Sequence, residues 1–396
     1  MKLIDSIAVQ AAGIAGIRRD IHAHPELSYE EFRTSDLVAA KLTEWGIPVH
    51  RGLGGTGVVG TVRNGNSTKA IGLRADMDAL PVQEINTFAH ASRHVGKMHA
   101  CGHDGHTAML LAAAQHLARN RNFDGTVHLI FQPAEEGGGG ADRMIRDGLF
   151  EQFPVDAVYG MHNWPGLPVG SFALSPGPVM ASTNEFKIVV KGKGGHAAMA
   201  YNTVDPVVVA AQLVQAFQTI ISRNVKPIEA GVISVTMIHA GHASNVIADS
   251  CELQGTVRTF QPEVLDLIEA RMKICADHTC AAYGASCDFE FVRNYPATIN
   301  SEAEVAFARR VMASVVGETQ VLRQEPTMGA EDFAYMLQAK PGAYAFIGNG
   351  EGAHRGHGHG EGPCTLHNPS YDFNDELIPL GATFWVRLVE EFLKKT

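Results

Sequence analysis

Residues 127–140 read VHLIFQPAEEGGGG. An apolar run closes on two adjacent carboxylates, Glu135 and Glu136, and four glycines follow. A short apolar run bounded by turn residues fits a buried strand, and an open α/β sheet gathers its ligands beyond the carboxyl ends of its strands. The same grammar recurs at His162, which closes the run Val155–Met161, and at HACGHDGH, residues 99–106. Six groups able to bind metal or transfer protons thus sit in three short segments, each after an apolar run. Thiol, imidazole and carboxylate groups converging in such a place suit a metal site.

Outward from these segments the pattern alternates. Residues 2–46 read as helix, broken at His24-Pro25 and restarting near Ser28 with Glu30 and Glu31 in the first turn. Strands are expected at about 56–63, 70–75, 126–131 and 155–161, with a helix over 104–119. After residue 293 come helices at 302–316 and 330–338, a strand at 343–347 and a terminal helix at 375–394. This is α/β grammar: a mainly parallel sheet flanked by helices. Residues 183–292 read differently, as strand, helix, strand, strand, helix, strand, which is the ferredoxin-like order. The expected organisation is a discontinuous first domain, 1–182 with 293–396, interrupted by a small inserted domain over 183–292.

Bulk properties narrow the function classes. The chain has 396 residues, 45% hydrophobic and 19% charged, so it can bury a substantial core and is not disordered by composition. A formal net charge of −10 argues against a nucleic-acid or anionic-membrane partner. The opening MKLIDSIAVQ lacks the basic-then-apolar form of a secretory signal, and no apolar stretch approaches the ~18–20 residues of a membrane span. Of six scattered cysteines, at 101, 251, 275, 280, 287 and 364, five fit reduced, buried thiols in a cytoplasmic protein, and Cys101 is the exception because of its neighbours.

Two motifs invite misreading. Gly52-Leu53-Gly54-Gly55-Thr56-Gly57 matches a dinucleotide fingerprint, with Asp76 and Asp78 about where a ribose-binding acid would lie. The next residues, Val58 to Val62, read as strand instead of the helix that must receive a pyrophosphate, so a plain turn is expected. The histidines of His354-Arg355-Gly356-His357-Gly358-His359-Gly360 are expected in a mobile solvated loop, with adventitious metal binding as the other reading.

Within the three segments, residue types suggest roles. Asp76 and Asp78 at a strand end point the same way, so one can ligate or orient while the other steadies it. Cys101 and His103, two apart, can grip one ion if the backbone is extended, and a nearby metal turns a thiol into a thiolate. Asp104 is a candidate to hold an imidazole in one tautomer, with His106 beside it. Two buried like charges need compensation, so Glu135 and Glu136 suit one ligand and one general base, with spacing silent on which is which. His162 is read as a ligand through the company it keeps, and His367, in TLHNP, is undecided by spacing.

Together these stretches resemble the M20 class of metal-dependent amidohydrolases and peptidases, in the branch of hippurate hydrolase, N-acyl-amino-acid amidohydrolases and auxin-conjugate hydrolases. The resemblance spans essentially the whole chain: RRDIH with HPELS (18–28), LRADMDALP (73–81), MHACGHDGHTAML (98–110), FQPAEEGGGGA (131–141), GMHNWP (160–165), GKGGHAAM (192–199), SNVIAD (244–249), GTVRTF (255–260), MGAEDF (328–333) and LHNPSYDFND (366–375). It implies a two-metal site held by Cys101, His103, Glu136, His162 and His367, with Glu135 as general base and Asp78 orienting. Zn or Mn would be the metals, with Co or Ni fitting the same donors. It implies a lid whose His196, Asn245 and Arg258 contact the substrate, and a homodimer or homotetramer formed through that lid. The expected activity is cleavage of an N-acyl amino acid into a carboxylic acid and an amino acid. A dipeptidase or aminopeptidase with the same centre is the near alternative, and a non-catalytic metal-binding protein the distant one.

Overall fold

The computed structural model describes residues 1–395. The chain divides into two compact units. The first comprises Met1–Gly177, Ile299–Glu325 and Asp332–Thr396, and the second Pro178–Thr298 with Pro326–Glu331.

The first unit is built on an eight-stranded sheet. Its spatial order is Val49–Leu53, Gly57–Asn64, Gly125–Gln132, Ala70–Asp76, Ala157–Pro165, Gly342–Gly350, Phe172–Ala173 and Val321–Leu322. The four central strands run parallel, while Val49–Leu53 and Gly57–Asn64 add antiparallel at one side. All seven residues of Ala70–Asp76 are buried, as a strand covered on both faces requires. Leu73, Leu129, Phe131 and Tyr159 from this sheet pack with Leu110, Leu111, Leu380 and Phe384 from the helices His103–Arg119 and Leu377–Phe392 in one continuous core. The glycine motif at 52–57 is the hairpin joining the two edge strands, with Gly54 and Gly55 at positive φ.

The N-terminal helix ends at Ala23, before Pro25, and the next begins only at Phe32. The expected restart at Ser28 fails because Leu27 bridges Ala79 and the following residues turn inward, placing Glu31 fully buried just before the helix.

The second unit carries a four-stranded antiparallel sheet in the order Gly231–His239, Ser250–Thr259, Asn184–Lys191, Ser286–Arg293. Helices Pro206–Asn224 and Pro262–Ala282 pack on one face through Leu213, Phe217, Ile268 and Met272 against Phe186, Ile188 and Leu253. Asp205 caps the first of these helices by accepting the Val207 N–H at 2.9 Å, and Pro206 follows at a position where a missing N–H costs nothing. Residues 326–331 join this unit although they lie within the stretch expected in the first domain. The Thr327 N–H bonds Val179 O at 3.0 Å, and Ala181 N–H lies 2.9 Å from Gly329 O. A two-stranded ribbon of Gly195–His196 and Val246–Ile247, too short to announce itself in sequence, completes the unit. Among the described residues no helix is long and apolar enough to cross a membrane.

Candidate metal centre

Strand register delivers the site. Asp76 pairs with Gln132 and Arg74 with Gly160, so the segments after Asp76 and Gln132 and the end of Ala157–Pro165 emerge on one edge of the sheet. The helix His103–Arg119 starts there too. Cys101 and His103 are not in extended backbone as expected: Gly102 turns the chain at φ 90° and His103 is the first helical residue. A side chain on Gly102 would collide with Asn163 and the Tyr371 hydroxyl, so this turn admits only glycine.

All five expected ligands and Glu135 come together. Cys101, His103 and His162 form one group, Cys101, Glu136 and His367 a second, and His103, Glu135 and Glu136 a third, with the ligand atoms in each group within 4.8 Å of one another. Cys101 Sγ lies 3.2 Å from His162 Nε2, and His367 Nε2 lies 3.3 Å from Glu136 Oε1.

The hydrogen bonds aim the free atoms inward. His103 Nδ1 donates to Asp78 Oδ1 at 3.2 Å, while its Nε2 is buried without a partner, the nearest carboxylate being Asp76 Oδ2 at 3.9 Å. His162 Nδ1 donates to Asn163 O at 2.6 Å, leaving Nε2 toward Cys101. A histidine anchored at one nitrogen and bare at the other is the usual preparation of a metal ligand. Burial opposes charge on His103, but Asp76 and Asp78 outweigh it and raise the imidazole to about 10. Carboxylates that hold a proton there will hold a divalent cation in its place. Burial, followed by Glu136 and Glu135, pushes the Cys101 thiol well up, and a cation reverses that logic. The orphaned Nε2 and the S, N and O donor set therefore fit a divalent metal.

Glu135 is 7% exposed, and its Oε1 takes the Asp332 N–H at 3.4 Å. Asp78 Oδ2 takes the Glu136 N–H at 2.9 Å and faces the Ser28 hydroxyl at 2.9 Å. Asp78 is thus the residue that orients His103, and the expected steadying of one aspartate by the other does not occur. Asp76 instead meets His106 Nδ1 and Arg74 Nη1, each at 2.6 Å. The other nitrogen of His106 accepts the Asn163 N–H at 2.9 Å, so both its ring nitrogens are engaged inside the protein.

Asp104 does not hold a site imidazole. From the first helical turn it points toward the N-terminal helix, accepting from His22 Nδ1 at 2.9 Å and Arg18 Nη1 at 3.2 Å. Arg18 also reaches Asp372 at 2.9 Å and Asp375 at 2.8 Å. The glycine- and histidine-rich loop is tied to this cluster and is not a loose solvated loop. His359 Nε2 meets Asp372 Oδ2 at 3.0 Å, His354 Nε2 meets the Asp372 carbonyl at 3.1 Å, and Arg355 donates to Gly362 O at 2.8 Å.

Of the residues expected to touch substrate, His196 and Asn245 are neighbours in the second unit, where Ala197 N–H bonds Asn245 O at 3.0 Å and both side chains are exposed. Arg258 is not with them. It lies near the far end of the strand Ser250–Thr259, whose start pairs with Lys191 beside the ribbon, a separation of about 25 Å along extended backbone.

Sequence reasoning passed over Ser28, Glu31 and Asn163. Asn163 donates to Cys101 O at 2.7 Å and accepts from Tyr371 Oη at 2.6 Å, supporting the cysteine from behind. Its only signal was adjacency to His162.

An α/β sheet that brings thiol, imidazole and carboxylate donors to the carboxyl ends of its strands defines a metal-dependent hydrolase. Residues 72–391 match Peptidase family M20/M25/M40, and the chain belongs to that family. It is 42% identical to hippurate hydrolase of Campylobacter jejuni over 398 residues, covering 100% of both chains. It is 41% identical to N-acetyl-L-cysteine deacetylase of Bacillus subtilis over 372 residues, 94% of this chain and 86% of that one. Among solved structures, a dinuclear metal binding peptidase from the M20 family of Bacillus subtilis superposes with a TM-score of 0.84 at 33% identity, covering 98% of this chain and 100% of that one.

Proposed function

We propose that the protein hydrolyses the amide bond of N-acyl amino acids, releasing a carboxylic acid and a free amino acid. The observation that carries this is the pairing of a bare His103 Nε2 with Cys101, Glu136, His162 and His367 beside a separate buried carboxylate, Glu135. Relatives named for hippurate and N-acetylcysteine cleavage support the substrate class.

In this reading Cys101, His103, Glu136, His162 and His367 hold two divalent ions, Zn or Mn, with Co or Ni fitting the same donors. Such ions supply Lewis acidity, making water more acidic and polarising the amide carbonyl. Glu135 takes the proton from the attacking water and delivers it to the nitrogen as the C–N bond breaks. Asp78 fixes His103 in the tautomer that presents Nε2, and through the Glu136 N–H also fixes the adjoining backbone. His196 and Asn245, neighbours in the second unit, are the candidates to give the substrate its carbonyl and carboxylate donors, and Arg258, about 25 Å from them along its strand, does not serve the same small substrate beside them. The same unit mediates a homodimer or homotetramer, and the protein works in the cytoplasm without nucleic-acid or membrane partners.

The decisive test is amino-acid release from a panel of N-acyl amino acids, with hippurate, N-acetylmethionine and N-acetylcysteine among them, by metal-loaded protein against a chelated control. Chelator-sensitive release from the acyl substrates, exceeding that from matched dipeptides, is expected. Faster cleavage of dipeptides would transfer the assignment to a peptidase, and no release from metal-loaded protein would remove the catalytic reading.

A further inference from the structure

Three residues other than glycine have positive φ among the described residues: Tyr29 at 66°, Ala134 at 54° and His367 at 65°. His367 belongs to the ligand set. The other two meet at a single side chain. Glu31 Oε1 accepts the Ala134 N–H at 2.8 Å and the Tyr29 N–H at 3.0 Å, while Oε2 accepts the Thr56 hydroxyl at 2.6 Å. Glu31 and Ala134 are both fully buried.

Left-handed backbone is costly for a residue with a side chain and persists only where surroundings over-determine it. At Ala134 it sets the direction in which Glu135 and Glu136 leave the strand Gly125–Gln132. At Tyr29 it turns Ser28 toward the same segment, where the Ser28 hydroxyl reaches Asp78 Oδ2 at 2.9 Å and the Glu136 carbonyl at 3.1 Å. The Tyr29 hydroxyl then donates to Gly138 O at 2.6 Å. The segment 134–138 is therefore hung from residues 28–31 at three points, and Glu31 is the point that holds both strained residues.

We infer that Glu31 is a positioning residue for hydrolysis: its carboxylate, by accepting the Ala134 and Tyr29 N–H groups together, holds Glu135 at the geometry proton transfer requires. The inference rests on the assignment of Glu135 as general base. Both Glu31 oxygens are engaged, Oε1 by the two amides and Oε2 by Thr56, and Glu31 is not among the grouped ligand residues, so it acts through Glu135. What matters in it is acceptance of hydrogen bonds. Burial, opposed by the Thr56 hydroxyl, lifts its carboxyl to about 7, so the neutral state lies close at hand and an amide of the same shape can replace it.

The test compares E31A, E31Q, T56V and E135Q as metal-loaded proteins, reading kcat, KM, metal content and thermal unfolding. Misplacing a catalytic group by about an ångström costs on the order of 100-fold, so E31A is expected to lose about that in kcat with KM changed less than threefold and both metals retained. E31Q, whose carbonyl can take both amides, should stay within about fivefold of the parent. T56V frees one side of the carboxylate and should lower kcat several-fold at constant KM. A folded E31A with parental kcat overturns the inference, as does a folded, metal-loaded E31Q as inactive as E31A, which would mean that charge is needed. If E31A does not fold, T56V decides: parental kcat overturns the inference and the expected fall supports it. E135Q separates the two layers, because parental turnover there removes the general-base reading on which Glu31 depends, whatever the other variants do.

Discussion

Two clusters of histidine and carboxylate share the first turn of one helix, each taking one of two adjacent residues. His103 belongs to the first, with Cys101, Glu136, His162 and His367, and Asp104 to the second, with Arg18, His22, Asp372 and Asp375. The first leaves His103 Nε2 buried and unpartnered amid an excess of acidic groups. In the second, Arg18 meets three carboxylates and His22 meets both Asp104 and Glu84. A density of titratable groups therefore does not mark a reactive centre. Nor does one unpartnered buried atom, since Asp104 Oδ1 in the second cluster also lacks a partner; what marks the first is that sulfur, nitrogen and carboxylate ligand atoms converge within 4.8 Å of one another around a histidine anchored at its other nitrogen. The second cluster has charge of both signs and holds the N-terminal helix, the helix start and the segment after His367 together.

The comparison breaks most sharply at Glu135. E135Q keeps the shape of the site but cannot take a proton, so kcat should fall by ~10²–10⁴-fold with metal content unchanged. Steady-state rates alongside elemental analysis check this, and a metal-replete variant of near-normal rate would unseat Glu135. Next in size is R18M, which should act on stability instead of chemistry. Removing the guanidinium leaves Asp104, Asp372 and Asp375 facing one another, at a cost of about 3–5 kcal/mol. Denaturant unfolding reads the loss, and kcat per folded, metal-loaded molecule should stay within a few-fold. If R18M unfolds at the parental midpoint, the second cluster does not brace the N-terminal helix. D78N lies between the clusters in kind: it weakens the bond that orients His103, and metal affinity should drop ~10–100-fold in chelator competition, while overall stability of the metal-saturated form changes little.

Much of this was legible beforehand because the physics was local. Strands buried on both faces carry mostly apolar runs, so Ala70–Asp76 and Gly125–Gln132 stand out by their apolar residues even though Arg74, Asp76, His128 and Gln132 interrupt or close them. The six helices and strands of the second unit alternate with clear turn signals, and the ligands sit immediately after apolar runs. The unread parts depend on partners distant in sequence. Residues 27–31 look like a helix start, yet their conformation is set by Ala79 and Ala134, about 50 and 100 residues on. Asp104 does hold an imidazole, but sequence did not say whose: it is that of His22 on the N-terminal helix, a direction that follows from where the helix begins, which Gly102 decides. The loop 354–360 has the composition of a solvated tip, but Asp372 and Asn86 gather it in.

His128 sharpens the comparison by belonging to neither cluster. It is 5% exposed in the strand Gly125–Gln132, bonded to the Thr61 hydroxyl at 3.0 Å and edge-on to Phe153. With burial as the cause, its imidazole is pulled from 6.5 down to about 4, whereas carboxylates lift His22 to about 10 against the same burial. Between pH about 4 and 6.5 the unfolded chain takes a proton at His128 that the folded protein refuses. Stability from this group is therefore complete above pH 6.5 and is lost as pH falls toward 4, by on the order of 3 kcal/mol. H128Q cannot take that proton, so its unfolding free energy should fall less steeply than the parent's across the same window. Urea unfolding at closely spaced pH values reads the difference. Parallel curves would show that the folded protein accommodates the charge at this strand after all. A shallower curve would place His128 as a third kind of histidine here, one whose titration is governed by burial alone.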